Sequence, residues 1–400
     1  MILTRMGSAT KAVVADDVEI VRRVLAHIDA GTTDEGAAWR EPVENYVNPE
    51  RFAAELRLLQ AMPSVFVPAA TIPNPGDHVE RSVFGVPLFA VRGRDQRVRV
   101  FRNACRHRGF ALVESAGCAH ALVCRYHGWT YRLDGSLAHV PHADAFPDLD
   151  MSTRGLVEVA SREVDGLIVI GAVSTPSGEA MPDWVPDWEE WLSDGTPWRD
   201  KLLPARRLVY VDSTARAMNW KVLVEQFLEG YHIRSTHKDT FYPVQYDDLN
   251  VVEMFGPNCR IAFPYRNIER LRDRPEDTWT IDARVTFLYQ LFPNVMLATF
   301  PDLMLMIVID PVDVGHSAVT IYSMVRPEVA DRASRDPGPN NPAGAASFIA
   351  RGAAEDNEMS EGVQRGLGSG ANEFVEFGRH ESAIGHFHAT LEERLARTHR

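Results

Sequence analysis

Cysteine is scarce in this 400-residue chain, which holds four: Cys105, Cys118, Cys124 and Cys259. So few thiols in so long a chain do not make a disulfide framework. Long apolar runs are also missing. The longest, near Leu167–Val173 and Leu303–Ile309, fall far short of the roughly 20 residues a membrane helix needs and read as buried strands. Met1–Asp16 has no apolar h-region, so no secretory signal is expected and a reducing cytoplasm is the expected compartment. Positive charge is in deficit, at 42 Lys+Arg against 55 Asp+Glu and a net charge of −13, which argues against nucleic acid as a partner. A dinucleotide fingerprint is lacking too: Gly366-Leu367-Gly368-Ser369-Gly370 follows a helical pattern and does not open one. What remains is the composition of a globular enzyme of two or three domains.

Two of the four cysteines stand in matching boxes. Cys105-Arg106-His107 and Cys124-Arg125-Tyr126-His127 are separated by sixteen residues, and each histidine is followed closely by glycine, Gly109 or Gly128. Two thiolates and two imidazoles form the mixed donor set of a Rieske [2Fe–2S] cluster, in which histidines replace two cysteines on one iron. Structural zinc uses the same donors, but zinc fingers usually present a cysteine pair and then a histidine pair, whereas each box here is mixed. Cys118, between the boxes, lacks a histidine at the needed spacing and reads as a packing thiol. Seven arginines and one acid, Asp95, lie between Arg92 and Arg108; a basic face beside the boxes would attract an acidic electron donor.

Apolar periodicity predicts helices over Val18–Ala30 and Phe52–Met62. Short β-rich runs follow: Val83–Val91, Val98–Phe101, Ala121–Cys124, Thr130–Leu133 and Leu167–Ile170, with Asp134-Gly135 as a hairpin turn. Met181–Trp198, rich in proline and tryptophan, reads as a connector. Strands resume at Arg207–Val211, Val251–Phe255, Cys259–Phe263, Val285–Phe292, Met304–Ile309 and Ala318–Val325, with one embedded helix, Trp220–Tyr231, capped by Asn219. Val329–Ala343 reads as a loop, and helices are expected over Ala345–Leu367 and Ile384–Thr398. His386 and His388 on the last are expected to face solvent or a subunit contact.

On the embedded helix, Glu225, Glu229 and His232 share one stripe at i, i+4, i+7, and the chain must leave the helix near Ile233 for His237 to join His232 at one ion. Two histidines and a carboxylate with open positions are the facial triad of non-haem Fe(II) oxygenases. The expected carboxylate is Asp356, on a stripe with Phe348, Gly352, Met359, Val363 and Leu367; there a metal would offset the cost of burying a charge.

With these motifs in view, the chain resembles the α subunit of a Rieske non-haem iron ring-hydroxylating oxygenase over nearly its full length. The resemblance rests on Cys105-x-His107, Cys124-x2-His127, Asn219-Trp220-Lys221, Glu225-x3-Glu229-x2-His232-x4-His237, and Glu355-Asp356 with Gln364-Arg365-Gly366-Leu367. It implies an α+β fold: an all-β Rieske [2Fe–2S] domain at 63–172 inserted in a helix-grip (START/Bet v1-like) catalytic domain with an antiparallel sheet at 173–400. Residues 1–62 would be helices associated with the catalytic domain, and 173–205 the connector. It implies a terminal oxygenase that uses O2, and electrons from a ferredoxin and/or flavoprotein reductase, to hydroxylate or oxidatively demethylate a small organic substrate, aromatic or alkylammonium. It implies a homotrimer or a multiple of it, with or without a β subunit. Cys105, His107, Cys124 and His127 would hold the cluster, and His232, His237 and Asp356 the mononuclear Fe(II). Glu229 matches the carboxylate that bridges the two centres between protomers, although the family more often has aspartate there. Glutamate occurs in relatives that oxidise alkylammonium compounds. The competing expectation is a Rieske electron-transfer protein without oxygenase activity; a zinc-stabilised binding protein is a further one.

Overall fold

The computed structural model describes residues 14–173, 206–333 and 342–398. The expected connector and its tryptophans fall outside them. Eight helices are described: α1 (Asp17–Ala30), α2 (Glu44–Val47), α3 (Pro49–Ala61), α4 (Trp220–Glu225), α5 (Ile233–Thr236), α6 (Pro327–Ala333), α7 (Pro342–Leu367) and α8 (Ser382–Thr398). The α1 helix starts where the Asp16 side chain accepts the Glu19 N–H and stops where Gly31 adopts a left-handed conformation, the two commonest ways of satisfying helix ends. Its buried face is Ile20, Val21, Val24 and Leu25, the stripe that the periodicity predicts.

The first β region builds three small antiparallel sheets. Asp77–Val83, Val86–Arg92 and Val98–Arg102 form the centre of a five-stranded one. The predicted single run Val83–Val91 is divided by a turn at Phe84-Gly85, where both residues have positive φ, so the alternation continues across a reversal. The predicted Asp134-Gly135 turn links Thr130–Tyr131 to Leu137–His139, with Gly135 at φ 85°. Phe89, Val91, Phe101, Trp129, Tyr131 and the two box cysteines pack into a core of their own. Cys118 is exposed and is not the packing thiol expected from sequence; its two-residue strand lies at a sheet edge.

The second β region is one antiparallel sheet of seven strands in the spatial order Arg207–Arg216, His316–Val325, Leu303–Asp313, Val295–Thr299, Val285–Leu291, Asn258–Pro264, Val251–Phe255. Leu303–Asp313 is buried along nine successive residues, which is why it reads as a continuous apolar run and not as an alternating one. It contacts both α4 and α7. These two helices lie on the sheet; Asp356 is on α7, and Glu229, His232 and His237 follow α4. Part of the predicted loop Val329–Ala343 is helical, since α6 spans Pro327–Ala333; proline at the first position suits a helix start.

Candidate functional site: two donor clusters

The two boxes fold into near-identical turns. Gly109 N–H donates to Cys105 O at 2.9 Å and Gly128 N–H to Cys124 O at 2.9 Å, while Cys105 N–H and Cys124 N–H donate to Phe110 O (2.8 Å) and Trp129 O (2.9 Å). Both glycines have positive φ, 79° and 73°, which is why glycine follows each histidine. Asn103 ties the base of the first loop, accepting from Leu112 and Val113 N–H and donating to Val113 O. The cysteines are buried, and the histidine rings lie further out with centroids 4.7 Å apart. Trp129 stacks on His107 at 5.0 Å, and Tyr126 lies 3.7 Å from His127. The Nδ1 atoms of His107 and His127 are both buried without a hydrogen-bond partner. Two orphaned nitrogens side by side are costly and call for an explanation; a metal bond to each removes the cost. Burial, with His127 and Arg108, holds the His107 imidazole below its ordinary pKa and keeps it neutral for ligation. Burial pushes the Cys105 thiol up.

Tyr131 was not anticipated. Its hydroxyl lies 3.3 Å from Cys105 Sγ and accepts the Arg106 N–H at 2.9 Å. Burial holds its proton on, so the hydroxyl has a proton to offer a thiolate sulfur at this place. A tyrosine in a β run carries no sequence signal of such a contact. The basic face is narrower than seven arginines suggest: Arg92 is buried and bonds Ile72 O, and Arg99 pairs with Asp95.

The second cluster begins on α4. Asn219 is its N-cap, accepting from Lys221 N–H and anchored by its amide to Tyr46 O and Val314 O. The helix ends at Glu225, not at Tyr231 as the apolar pattern predicts. The Glu229 carboxylate accepts the Tyr231 and His232 N–H groups, which takes those donors out of a continuing helix. A Cβ on Gly230 would come within 2.7 Å of Asn250 Oδ1, so any other residue there would have to displace the Asn250 side chain. The predicted Glu225/Glu229/His232 stripe is thereby broken. Glu225 turns away and accepts from Tyr46 OH and His388 Nε2, both at 2.7 Å.

A short turn of helix, α5, carries the chain from His232 to His237. Asp356 Oδ1 lies 2.9 Å from His237 Nε2 and 3.5 Å from His232 Nε2, and one donor atom from each of the three residues falls within 4.8 Å of the others. The far nitrogens are held as well. Glu229 is bonded to His232 Nδ1. Glu355 Oε2 is 2.8 Å from His237 Nδ1 and accepts from Thr240 Oγ1 at 2.6 Å. Burial disfavours a charged imidazole, yet Asp356 and Glu229 hold the His232 pKa up to about 10. His237 is likewise raised against burial, by Asp356 and Glu355, and the two histidines keep the Asp356 carboxyl low although burial opposes it. The carboxylates that raise these two rings would equally favour a divalent cation between them.

Asp356 faces inward as expected, as do Gly352 and Leu367, but Met359 and Val363 of the same stripe do not. Met359 and Val363 are 47% and 50% exposed, whereas Ser360 is buried. The inner face instead follows Gly352, Asp356, Ser360 and Gln364. Ser360 donates to Gln226, and Gln364 accepts the Asn219 N–H at 2.7 Å. Polar residues that bond another helix read from sequence as an outer face. The expectation that His388 faces solvent also fails, since His388 is 2% exposed between Glu225 and Glu41. His386 is partly buried. A cavity of ≈ 430 Å³ opens beside the triad, lined by Phe227, Phe241, Phe263, Leu288, Leu305 and Ile321 among others.

Comparison with known proteins identifies the family. The family described as Ring hydroxylating alpha subunit (catalytic domain) matches residues 199–397, and Rieske [2Fe-2S] domain matches 63–157. The carnitine monooxygenase oxygenase subunit of Acinetobacter pittii is 31% identical over 212 residues, 52% of this chain and 56% of that protein. The biphenyl dioxygenase subunit alpha of Paraburkholderia xenovorans is 32% identical over 176 residues, 41% and 37% of the two chains. The chain thus spans about half the length of the curated relatives it matches first. A quaternary ammonium Rieske monooxygenase shares the fold with TM-score 0.74 and 22% identity, over 89% of this chain and 96% of that one. Naphthalene 1,2-dioxygenase from Rhodococcus does so with TM-score 0.71 and 17% identity, over 95% and 98%. The chain belongs to the family of Rieske ring-hydroxylating oxygenase α subunits.

Proposed function

We propose that this protein is the terminal oxygenase component of a multicomponent system, working in the cytoplasm. It would take electrons from a separate ferredoxin and/or flavoprotein reductase and hydroxylate or oxidatively demethylate a small organic substrate with O2. Residues 63–172 would form the electron-carrying domain and 173–400 the catalytic one. In this reading Cys105, His107, Cys124 and His127 hold the [2Fe–2S] cluster, and His232, His237 and Asp356 hold ferrous iron. When bound, the two groups supply one-electron storage and activation of dioxygen.

The chain's own residues do the rest. Asp356 and the two Nε2 atoms offer three donors on one side of an ion, which leaves the cavity side open. Glu229 and Glu355 fix the rings through Nδ1, so each Nε2 presents its lone pair inward. The apolar wall excludes water from the space where substrate lies. Glu229 would bridge His232 to His127 of the partner subunit in a homotrimer or a multiple of it, with a β subunit as an optional addition.

The observation that carries the reading is that one chain holds two donor sets suited to different irons, an orphaned Cys2His2 set and a carboxylate-shared His2Asp set. The test is oxygen uptake with a generic reductase and a substrate panel, together with Glu229→Ala. The variant is expected to keep both irons, retain reducible cluster signal and lose product formation. Undiminished turnover would remove Glu229 from the electron path, and absence of substrate-dependent uptake with every compound would favour a pure electron carrier.

A further inference from the structure

A second cavity, of ≈ 590 Å³, lies against the first. Phe241, Phe300 and Ile349 line both. Tyr265 in the outer cavity bonds Thr286 in the inner one at 2.6 Å. The wall between them is therefore one side chain thick. Phe241 is the part of it nearest the metal-side histidines, with its ring 4.8 Å from His237 and 5.3 Å from Phe348. Gly352 of α7 makes room for that ring, since a Cβ there would sit 2.7 Å from Phe241 Cζ.

The two spaces differ in charge. Among the described residues the inner chamber is lined by Asp212, Glu229 and Asp356 and by no lysine or arginine. Among the described residues the outer cavity is lined by Arg266 and Arg270 and by no carboxylate. Arg266 is held in place: its guanidinium donates to Tyr242 O at 3.2 Å and lies 5.1 and 5.0 Å from the Tyr242 and Tyr246 rings. In the chamber Glu229 and Asp356 are paired with His232 and His237, so among the described residues only the outer space offers an anion arginine side chains. The chamber's mostly aliphatic and phenylalanine wall suits an uncharged apolar group.

Deepening the oxygenase reading and resting on it, we infer that the substrate is an amphipathic organic acid. Its carboxylate lies in the outer cavity against Arg266 and Arg270, and its apolar end passes Phe241 into the chamber beside His232 and His237.

Binding tests this without turnover, so it fails or stands separately from the oxygenase reading. Dissociation constants of 4-phenylbutyrate, 4-phenylbutan-1-ol and carnitine are measured by equilibrium dialysis on the metal-loaded protein and on an Arg266→Gln/Arg270→Gln variant. The acid is expected to bind about tenfold more tightly than the alcohol, the scale of a partly exposed charge-assisted contact. That preference is expected to fall to near unity in the variant while alcohol binding is unchanged. Equal binding of acid and alcohol by the unaltered protein, or a preference that survives in the variant, would overturn the anion subsite. Carnitine binding more tightly than 4-phenylbutyrate would overturn the apolar assignment of the chamber.

Discussion

Glu355→Ala probes how the second donor cluster is held. Glu355 is not one of the three inward donors, yet its Oε2 lies 2.8 Å from His237 Nδ1 and 2.6 Å from Thr240 Oγ1. His237 itself is 1% exposed, so no solvent is at hand to replace a lost partner on Nδ1. Alanine removes the acceptor that fixes the tautomer and the ring plane. Loss of such an orienting partner weakens metal binding by roughly 10–100-fold, or about 1.4–2.7 kcal/mol. The assay is iron competition against a chelator of known affinity, with cluster absorbance as an internal control that should not change. Glu355→Gln keeps an oxygen acceptor for the Nδ1 proton and should recover most of the loss. Two results would refute the reasoning: alanine binding iron as tightly as the unaltered protein, or glutamine losing as much as alanine.

Two further predictions concern the frame behind α4. Lys221 and Glu55 are both fully buried and paired at 2.7 Å, with Arg51 and the Trp220 indole also bonded to Glu55. Glu55→Ala should cost about 3–5 kcal/mol, because it leaves a buried cation without its partner, whereas Glu55→Leu with Lys221→Met should come close to neutral; chemical denaturation of both variants distinguishes the two effects. His388 is buried but held up to about 9 by Glu225 and Glu41. A folded-state pKa raised above the ordinary 6.5 contributes stability that is full below pH 6.5 and lost as pH rises through about 9. The contribution is about 3 kcal/mol. Denaturation midpoints should therefore fall between about pH 6.5 and 9.5, and a His388→Phe variant should show a flatter profile; a parallel profile would contradict the assignment.

Donor types were legible where the chemistry demands them at short spacing. The two boxes with their glycines, and His232 with His237, are visible because each glycine is needed by a local turn and each histidine lies within a few residues of another donor, a cysteine in the boxes and the second histidine here. What sequence spacing misses depends on contacts between distant segments. The end of α4 at Glu225 is set by the Glu229 side chain and by Asn250 against Gly230. The inner face of α7 is set by Ser360 and Gln364 bonding α4. His388 is drawn inside by Glu225, more than 150 residues away. Polar residues that look solvent-facing on one helix are, in each case, the partners of another.

The central claim is that one polypeptide carries two iron centres of different kind, and iron analysis beside EPR of the reduced protein tests it most directly. Fully loaded protein is predicted to hold three irons per chain with a [2Fe–2S] signal, and His237→Ala to lose one iron while keeping that signal. Two irons in the unaltered protein, or three retained in the variant, would contradict the account.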